Sequence, residues 1–374
     1  MFPPLPYLEW IDGRPSAARH DLTSSDLRRD QPNSVSDAVP PRLADLPVSD
    51  DGTPLVEFVA AEYDVDPSSV VLAAGATHAN FLAAATAHAL AVERGNAADP
   101  TPRALVEVPG YGPLVETPRA LGMRADRFRR PLPEASIDRA RVEAAIHEPA
   151  LERQFTHLTI TNRHNPTGAL TTRRELKRLA KVTRENEGYL IVDEVYAPYV
   201  AEADGDAGFG GPTGAGLRGV VSVGSLTKFH GLSGLRVGWL IAPERFARRA
   251  EQVRHHVPAL AGPSVALARR FFANRDELVA EARDHCAANH ELLADFADAR
   301  SDLIGPVAEG CPFAFLSHES ADGDAVAEAA WEDDVLVVPG RFFGERDWFR
   351  VALGNGPDDS AEALDALGSV LDGL

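Results

Sequence analysis

VVSVGSLTKFHGLSGLRVGWLIAP, residues 220–243, holds two apolar runs, VVSVGS and VGWLIAP, joined by a segment that is neither apolar nor simply polar. The runs read as strands buried on both faces. The joining segment carries Lys228 three residues after Ser225, then a glycine-rich stretch and Arg236. Similar short runs stand upstream: VVLAA at 70–74, ALVEVP at 104–109, HLTITN at 157–162 and YLIVDEV at 189–195, with helical stretches between them. Apolar strands alternating with helices predict a mostly parallel sheet covered on both sides. The Ala-rich stretch 76–93 directly behind Gly75 predicts a helix whose first amides face whatever lies beyond the strand end.

Past about residue 245 the texture changes. SVALARRFFANRDELVAEARDHCAANHELLADFADAR fits one long helix or two, and PFAFLSH, VLVVPG and WFRVALG read as short strands before a last helix in SAEALDALGSVLDG. The expected organisation is a large α/β domain over 46–250 and a smaller α+β domain from 251–374 joined by 1–45. The Pro-, Asp- and Arg-rich first 45 residues look irregular, and the Gly/Pro/Asp stretch 202–219 reads as a surface loop.

Composition narrows the partners. With 56 acidic against 37 basic residues the formal net charge is −19, which speaks against nucleic acid and anionic membrane. No run approaches the length of a membrane span and MFPPLPYLEWIDGR lacks the pattern of a signal peptide, so a cytoplasmic protein is expected. Cys286 and Cys311 form no CxxC pair and have no zinc-site spacing, so neither a disulfide framework nor a metal is expected. The only lysines are Lys177, Lys181 and Lys228. Such scarcity beside abundant aspartate resembles proteins of salt-loving archaea, although a GC-rich genome also exchanges Lys for Arg. Lys177 and Lys181 lie one turn apart on a polar helix, RRELKRLAKVTREN, where a solvated face accounts for them. Lys228 has no such explanation.

Polar residues gather where strands end, which is where open parallel sheets bind ligands. Lys228 offers an amine able to form an imine. In YLIVDEVYAPY, Asp193 and Tyr196 come at the end of a buried strand, and a carboxylate there suits a cationic ring nitrogen. In TNRHNPTGAL, residues 161–170, Asn165 can donate to a phenolate oxygen, and Pro166 with Gly168 shapes a tight turn.

These three segments in this order resemble the fold type I, class I/II aminotransferases, whose cofactor is pyridoxal 5′-phosphate. The likeness runs over 75–239 and returns at 350. It implies a seven-stranded sheet in the large domain and a homodimer. It also implies Lys228 as the lysine that bonds covalently to the cofactor and carries the proton at the substrate α-carbon, with Asp193 paired to the ring nitrogen. Asn165 and Tyr196 would bind the cofactor's 3′-oxygen, Ser225 and Arg236 the phosphate, Gly75, Ala76 and Thr77 the phosphate-cradling turn, and Tyr111 the ring stacked on the pyridine. Arg350 in WFRVALG would grip the substrate carboxylate by a bidentate fork, with Asn165 beside it.

The chain departs from that pattern in places. Leu46–Pro47–Val48 offers no tyrosine before Gly52 to reach a partner's phosphate. Arg163 stands where a proline is frequent, and Leu114 where a second aromatic is. LEWIDGRPSAARHDLTSSDL is similar to the start of some capreomycidine-synthase-like relatives. The implied activity is amino-group transfer between an amino acid and a 2-oxo acid. A lyase, decarboxylase or cyclising synthase acting on an amino acid would use the same motifs, and the acidic chain speaks against a DNA-binding regulator of similar build. For the substrate side chain, His78, Arg163, Arg254, His255 and His256 are the candidates, without a choice among substrates.

Overall fold

The computed structural model describes residues 3–27, 39–48, 52–95, 102–148, 154–203, 205 and 207–374. Its largest sheet has seven strands: β1 (Val70–Ala73), β2 (Arg103–Val108), β3 (Arg124–Arg129), β4 (Phe155–Thr161), β5 (Tyr189–Asp193), β6 (Val220–Ser225) and β7 (Gly238–Ile241). They lie in the order β1-β7-β6-β5-β4-β2-β3. Every pairing from β3 to β6 is parallel, and β7 runs antiparallel to both β6 and β1. The mostly parallel seven-stranded sheet expected from the sequence is therefore present.

Burial explains why β4 to β6 show no alternation of apolar and charged residues: polar side chains within them, Thr156, His157, Thr159, Thr161, Ser222 and Ser225, are buried as well. Every residue of β4 and β6 is buried. Alternate side chains enter different cores: Ile191, Val221 and Val223 pack with Leu82 and Leu90 of α1 (Gly75–Arg94). Leu190, Val192 and Val220 turn the other way, onto Leu176 and Leu179 of α2 (Arg173–Glu185). This two-sided covering is what a parallel sheet requires. On α2, Lys177 and Lys181 are exposed, and Lys181 meets Glu185 at 3.6 Å.

Strand β3, RADRFR, escaped the run-by-run reading because it is an edge strand with only Phe128 buried, so it needs no apolar alternation. The surface-loop expectation for 202–219 holds at its ends, where 202, 203, 205, 216 and 218 are exposed, and is corrected between them: residues 208–215 are buried. Phe209 packs edge-on to Tyr63 and His230, and the carboxylate of Glu194 accepts from Thr213, the Gly214 N–H and Ser222 at 2.7–2.8 Å. Glycine here serves close packing, since a Cβ on Gly211 would come within 2.1 Å of the Ala197 carbonyl oxygen.

A second, antiparallel sheet contains β8 (Leu303–Ile304), β9 (Phe313–His318), β10 (Val338–Pro339) and β11 (Trp348–Ala352), in the order β10-β11-β9-β8. The long helical pattern resolves into two helices, Gly262–Ala273 and Arg275–Asp298. At the break, the Asn274 side chain donates to the carbonyls of Arg270 and Pro47. The N-terminal segment bridges the two regions. His20–Asp21 pairs with Val335–Leu336 and Leu22 joins the core of the second sheet, whereas Leu27 and Leu43 pack in a core beside the large sheet with Val59 and Trp239.

Candidate active site

The C-terminal ends of β4, β5 and β6 deliver Thr161, Asp193 and Ser225 to one edge of the sheet. Against that edge lies a cavity of about 580 Å³. Of the residues singled out from the sequence, Lys228, Asp193, Tyr196, Asn165, Tyr111, Ala76, Thr77, Arg236 and Arg350 line it. Gly75 and Ser225 do not line it; Gly75 precedes Ala76 and Ser225 hydrogen-bonds Thr227, which does.

One end of the cavity is built for an anion. Residues Ala76 and Thr77 open α1, so the helix's first amides and positive dipole end face inward. The Arg236 guanidinium lies against Gly75, where a Cβ would fall 2.6 Å from Nη2, and Nη2 donates to the Ala74 carbonyl at 3.3 Å. Ser225 Oγ shares a 2.5 Å hydrogen bond with Thr227 Oγ1, and it is Thr227, with Ser233, that reaches the wall.

The floor is acidic. Asp193 Oδ2 accepts from Asn80 Nδ2 at 2.7 Å, and Oδ1 accepts from the Val195 N–H at 3.3 Å. Burial pushes the Asp193 carboxyl up to about 6, against the opposing pull of those two donors. Asn80 was not singled out from the sequence. Its signal is its place one helical turn past Ala76, on the same face of α1.

Asn165 is held from two sides. Its N–H donates to Thr161 Oγ1 at 2.9 Å, and its Oδ1 accepts from Arg350 Nη1 at 2.7 Å. The Thr161 hydroxyl and N–H both donate to Glu107 Oε1 at 2.7 Å, and Glu107 Oε2 accepts from Arg130 at 2.9 Å, so a buried ion pair underpins the turn. Arg350, on β11, also donates from Nη2 to the Thr23 carbonyl at 2.9 Å and lies over the Phe343 ring.

The N-terminal strap, residues 23–27, supplies what the sequence reading missed. Ser25 Oγ hydrogen-bonds Tyr196 Oη at 2.7 Å, Ser25 O accepts from the Tyr199 hydroxyl at 2.6 Å, and the Leu27 N–H donates to the Lys228 carbonyl at 3.0 Å. Asp26 Oδ1 lies 2.5 Å from Lys228 Nζ. Burial works against the charged amine, but the Asp26 carboxylate, together with Tyr196 and Tyr111, holds Lys228 above lysine's ordinary range. HDLTSSDL has no periodicity or motif that would have announced these contacts.

Tyr111 packs edge-on to Tyr7, with ring centroids 6.1 Å apart, and Leu114 lines the wall beside it. None of the five residues considered for a side-chain pocket lines the cavity. Arg163 is buried and donates to the carbonyls of Tyr199, Gly168 and Glu309, and Arg254 pairs with Glu251. His78 Nδ1 accepts from the Ala74 N–H, His255 lies near Glu251, and His256 is exposed. Among the described residues no group of three or more His, Cys, Asp or Glu is arranged to hold a metal, and no helix is long and apolar enough to cross a membrane.

A primary amine, a buried acid with a raised pKa, an aromatic ring and a helix N-terminus beside an arginine thus meet in one cavity. Residues 53–367 match the model of the family described as aminotransferase class I and II, so the chain belongs to that family of pyridoxal-phosphate-dependent enzymes. It is 28% identical over 210 residues to a capreomycidine synthase of Streptomyces vinaceus, covering 53% of this chain and 51% of that one. An aspartate aminotransferase of Streptomyces avermitilis is 25% identical over 328 residues, covering 83% and 76%. The chain thus spans about half the length of the first relative and three quarters of the second. Among solved structures, a PLP-dependent aminotransferase from Streptococcus suis superposes with a TM-score of 0.80 at 19% identity, over 99% of this chain and 98% of the other, a likeness of fold.

Proposed function

We propose that this chain moves an amino group from an amino acid to a 2-oxo acid. The observation that carries the reading is the convergence of Lys228, Asp193, Asn165, Tyr196, Arg236 and Arg350 on one cavity. When bound, pyridoxal phosphate supplies an aldehyde that takes up amines and a cationic ring that draws electrons from the substrate α-carbon. Asp193 balances that ring's positive charge. Arg236, Thr227 and the first amides of α1 hold the phosphate. Asn165 and Tyr196 hydrogen-bond the ring oxygen, Tyr111 covers the ring face, and Arg350 fixes the substrate carboxylate through its fork. Lys228 supplies the nitrogen for the covalent bond to the cofactor. With substrate in place, the freed neutral amine of Lys228 would take the proton from the substrate α-carbon and give it up on the cofactor side of the transferring nitrogen. The net exchange would turn the amino acid into its oxo acid, with oxygen from water, and deliver the amino group to another oxo acid.

The likeness to a capreomycidine synthase supports a second reading, a lyase, decarboxylase or cyclising synthase acting on an amino acid. Incubating holoenzyme with amino acids distinguishes the two. Transfer releases an oxo acid while the amino group stays on the bound cofactor. Release of ammonia with the oxo acid, or a cyclised product, contradicts it.

Two further proposals rest on family likeness and composition. The chain is organised as a large unit over 46–250 with a small unit from 1–45 and 251–374, and it works as a cytoplasmic homodimer. Its surplus of carboxylates suits a salt-rich cell. Sedimentation as a monomer would remove the dimer, and stability indifferent to potassium chloride would remove the adaptation to salt.

A further inference from the structure

We propose that Asp26 is a specificity residue that selects substrates carrying a second positive group, such as a diamino or guanidino acid, over those with an acidic side chain. The inference rests on the function proposed above. It starts from the 2.5 Å contact between Asp26 Oδ1 and Lys228 Nζ at the cavity wall. The Asp26 side chain is 11% exposed. Its neighbours anchor the strap on both sides, Ser25 through the hydroxyls of Tyr196 and Tyr199 and Leu27 through the Lys228 carbonyl. The carboxylate is therefore a fixed feature of the cavity.

Charge balance gives it a task. Among the described residues the charged side chains lining the cavity are Asp26, Asp193, Lys228, Arg236 and Arg350. In the proposed reaction Asp193 faces the ring cation, Arg236 the phosphate and Arg350 the substrate carboxylate, which leaves Asp26 with Lys228 alone. An ammonium has no lone pair, so Lys228 must give up its positive charge both to bond to the cofactor and to take the α-proton. Asp26 is then a buried carboxylate without its counter-charge, an unfavourable arrangement that an entering cation relieves. The other groups facing Lys228 bring no positive charge: Tyr196 and Tyr111 carry phenol side chains, and Asp193 is a second acid. An acidic side chain would meet a like charge, and every cavity-lining base among the described residues already has a partner in the reaction.

The test titrates reconstituted holoenzyme with L-ornithine, L-norvaline and L-aspartate, reading binding from the cofactor's absorbance. Ornithine is expected to bind about tenfold or more tightly than norvaline, with aspartate weakest. In Asp26→Asn the ratio of ornithine to norvaline affinity falls toward one, whatever change the lost Lys228 contact brings to both ligands in common. Equal binding of ornithine and aspartate by the wild-type protein overturns the proposal without recourse to a variant. So does an Asp26→Asn protein that weakens all three ligands alike, because that marks an action on the shared α-amine. A wild-type protein that takes up no cofactor colour defeats the proposed function and this inference together, whereas colour without the ligand preference defeats this inference alone.

Discussion

Asn80, one turn into the helix that opens behind β1, donates a 2.7 Å hydrogen bond to Oδ2 of Asp193 at the end of β5. That single bond ties the helix whose N-terminus forms the anion cradle to the acid at the cavity floor. Among the described residues it is one of two donors that, together with the charge of Lys228, oppose the burial of Asp193, and they do not suffice: the carboxyl rises from 3.8 to about 6.

The direction of that shift fixes a pH dependence. An acid whose folded-state pKa is raised destabilises the fold when ionised, so the penalty is absent below about 4, grows as pH rises, and is complete above about 6. Asp193→Asn keeps the shape and removes the penalty. In cofactor-free protein the variant should therefore melt higher than wild type at pH 8, by at most roughly 3 kcal/mol of stability, and equally at pH 4. With cofactor present the sign reverses, because the variant has lost the counter-charge of the ring, and retention of cofactor on dialysis should fall. A variant that melts alike at both pH values would show that Asp193 carries no buried charge.

Gly75 tests the anion cradle. Its φ of +80° favours glycine, and an added Cβ would lie 2.6 Å from Arg236 Nη2. Gly75→Ala should cost about 1–2 kcal/mol from the left-handed backbone. It should also displace the Arg236 side chain, which is flexible, so the fold survives while cofactor affinity drops. Thermal melts and cofactor titration separate the two effects, and unchanged affinity would remove Arg236 and this turn from the phosphate site.

Arg350 is aimed by two acceptors, Asn165 Oδ1 and the Thr23 carbonyl. Lysine keeps the charge but loses the planar fork that meets both acceptors and a carboxylate together. Arg350→Lys should raise KM for the amino acid about tenfold or more, with a smaller change in kcat. Steady-state kinetics over a range of amino-acid concentrations decides this. An unaltered KM would assign carboxylate binding elsewhere.

How much was legible beforehand followed from which residues act through local sequence. The strands of the sheet interior were legible because burial on both faces demands continuous apolar runs, and RADRFR was not because an edge strand makes no such demand. Lys228, Asp193, Asn165 and Arg236 sit at strand ends or in glycine-rich turns whose composition is distinctive, and the fold brings them to one cavity. Asp26, Ser25 and Thr23 come from an irregular strap whose role depends on crossing 327 residues of separation to Arg350 and some 200 to Lys228. Nothing local encodes such contacts. Residues 208–215 misled for the opposite reason: glycine and proline suggested a solvent loop, whereas the glycines there permit close burial.

Covalent capture at Lys228 tests the account most directly. Protein purified without cofactor would be incubated with pyridoxal 5′-phosphate, reduced with borohydride, digested and mapped by mass spectrometry. The account predicts one reduced adduct, on Lys228 and not on Lys177 or Lys181, both of which are exposed on a helix face. A protein that stays unmodified at Lys228, or an adduct spread over the two exposed lysines, would contradict it.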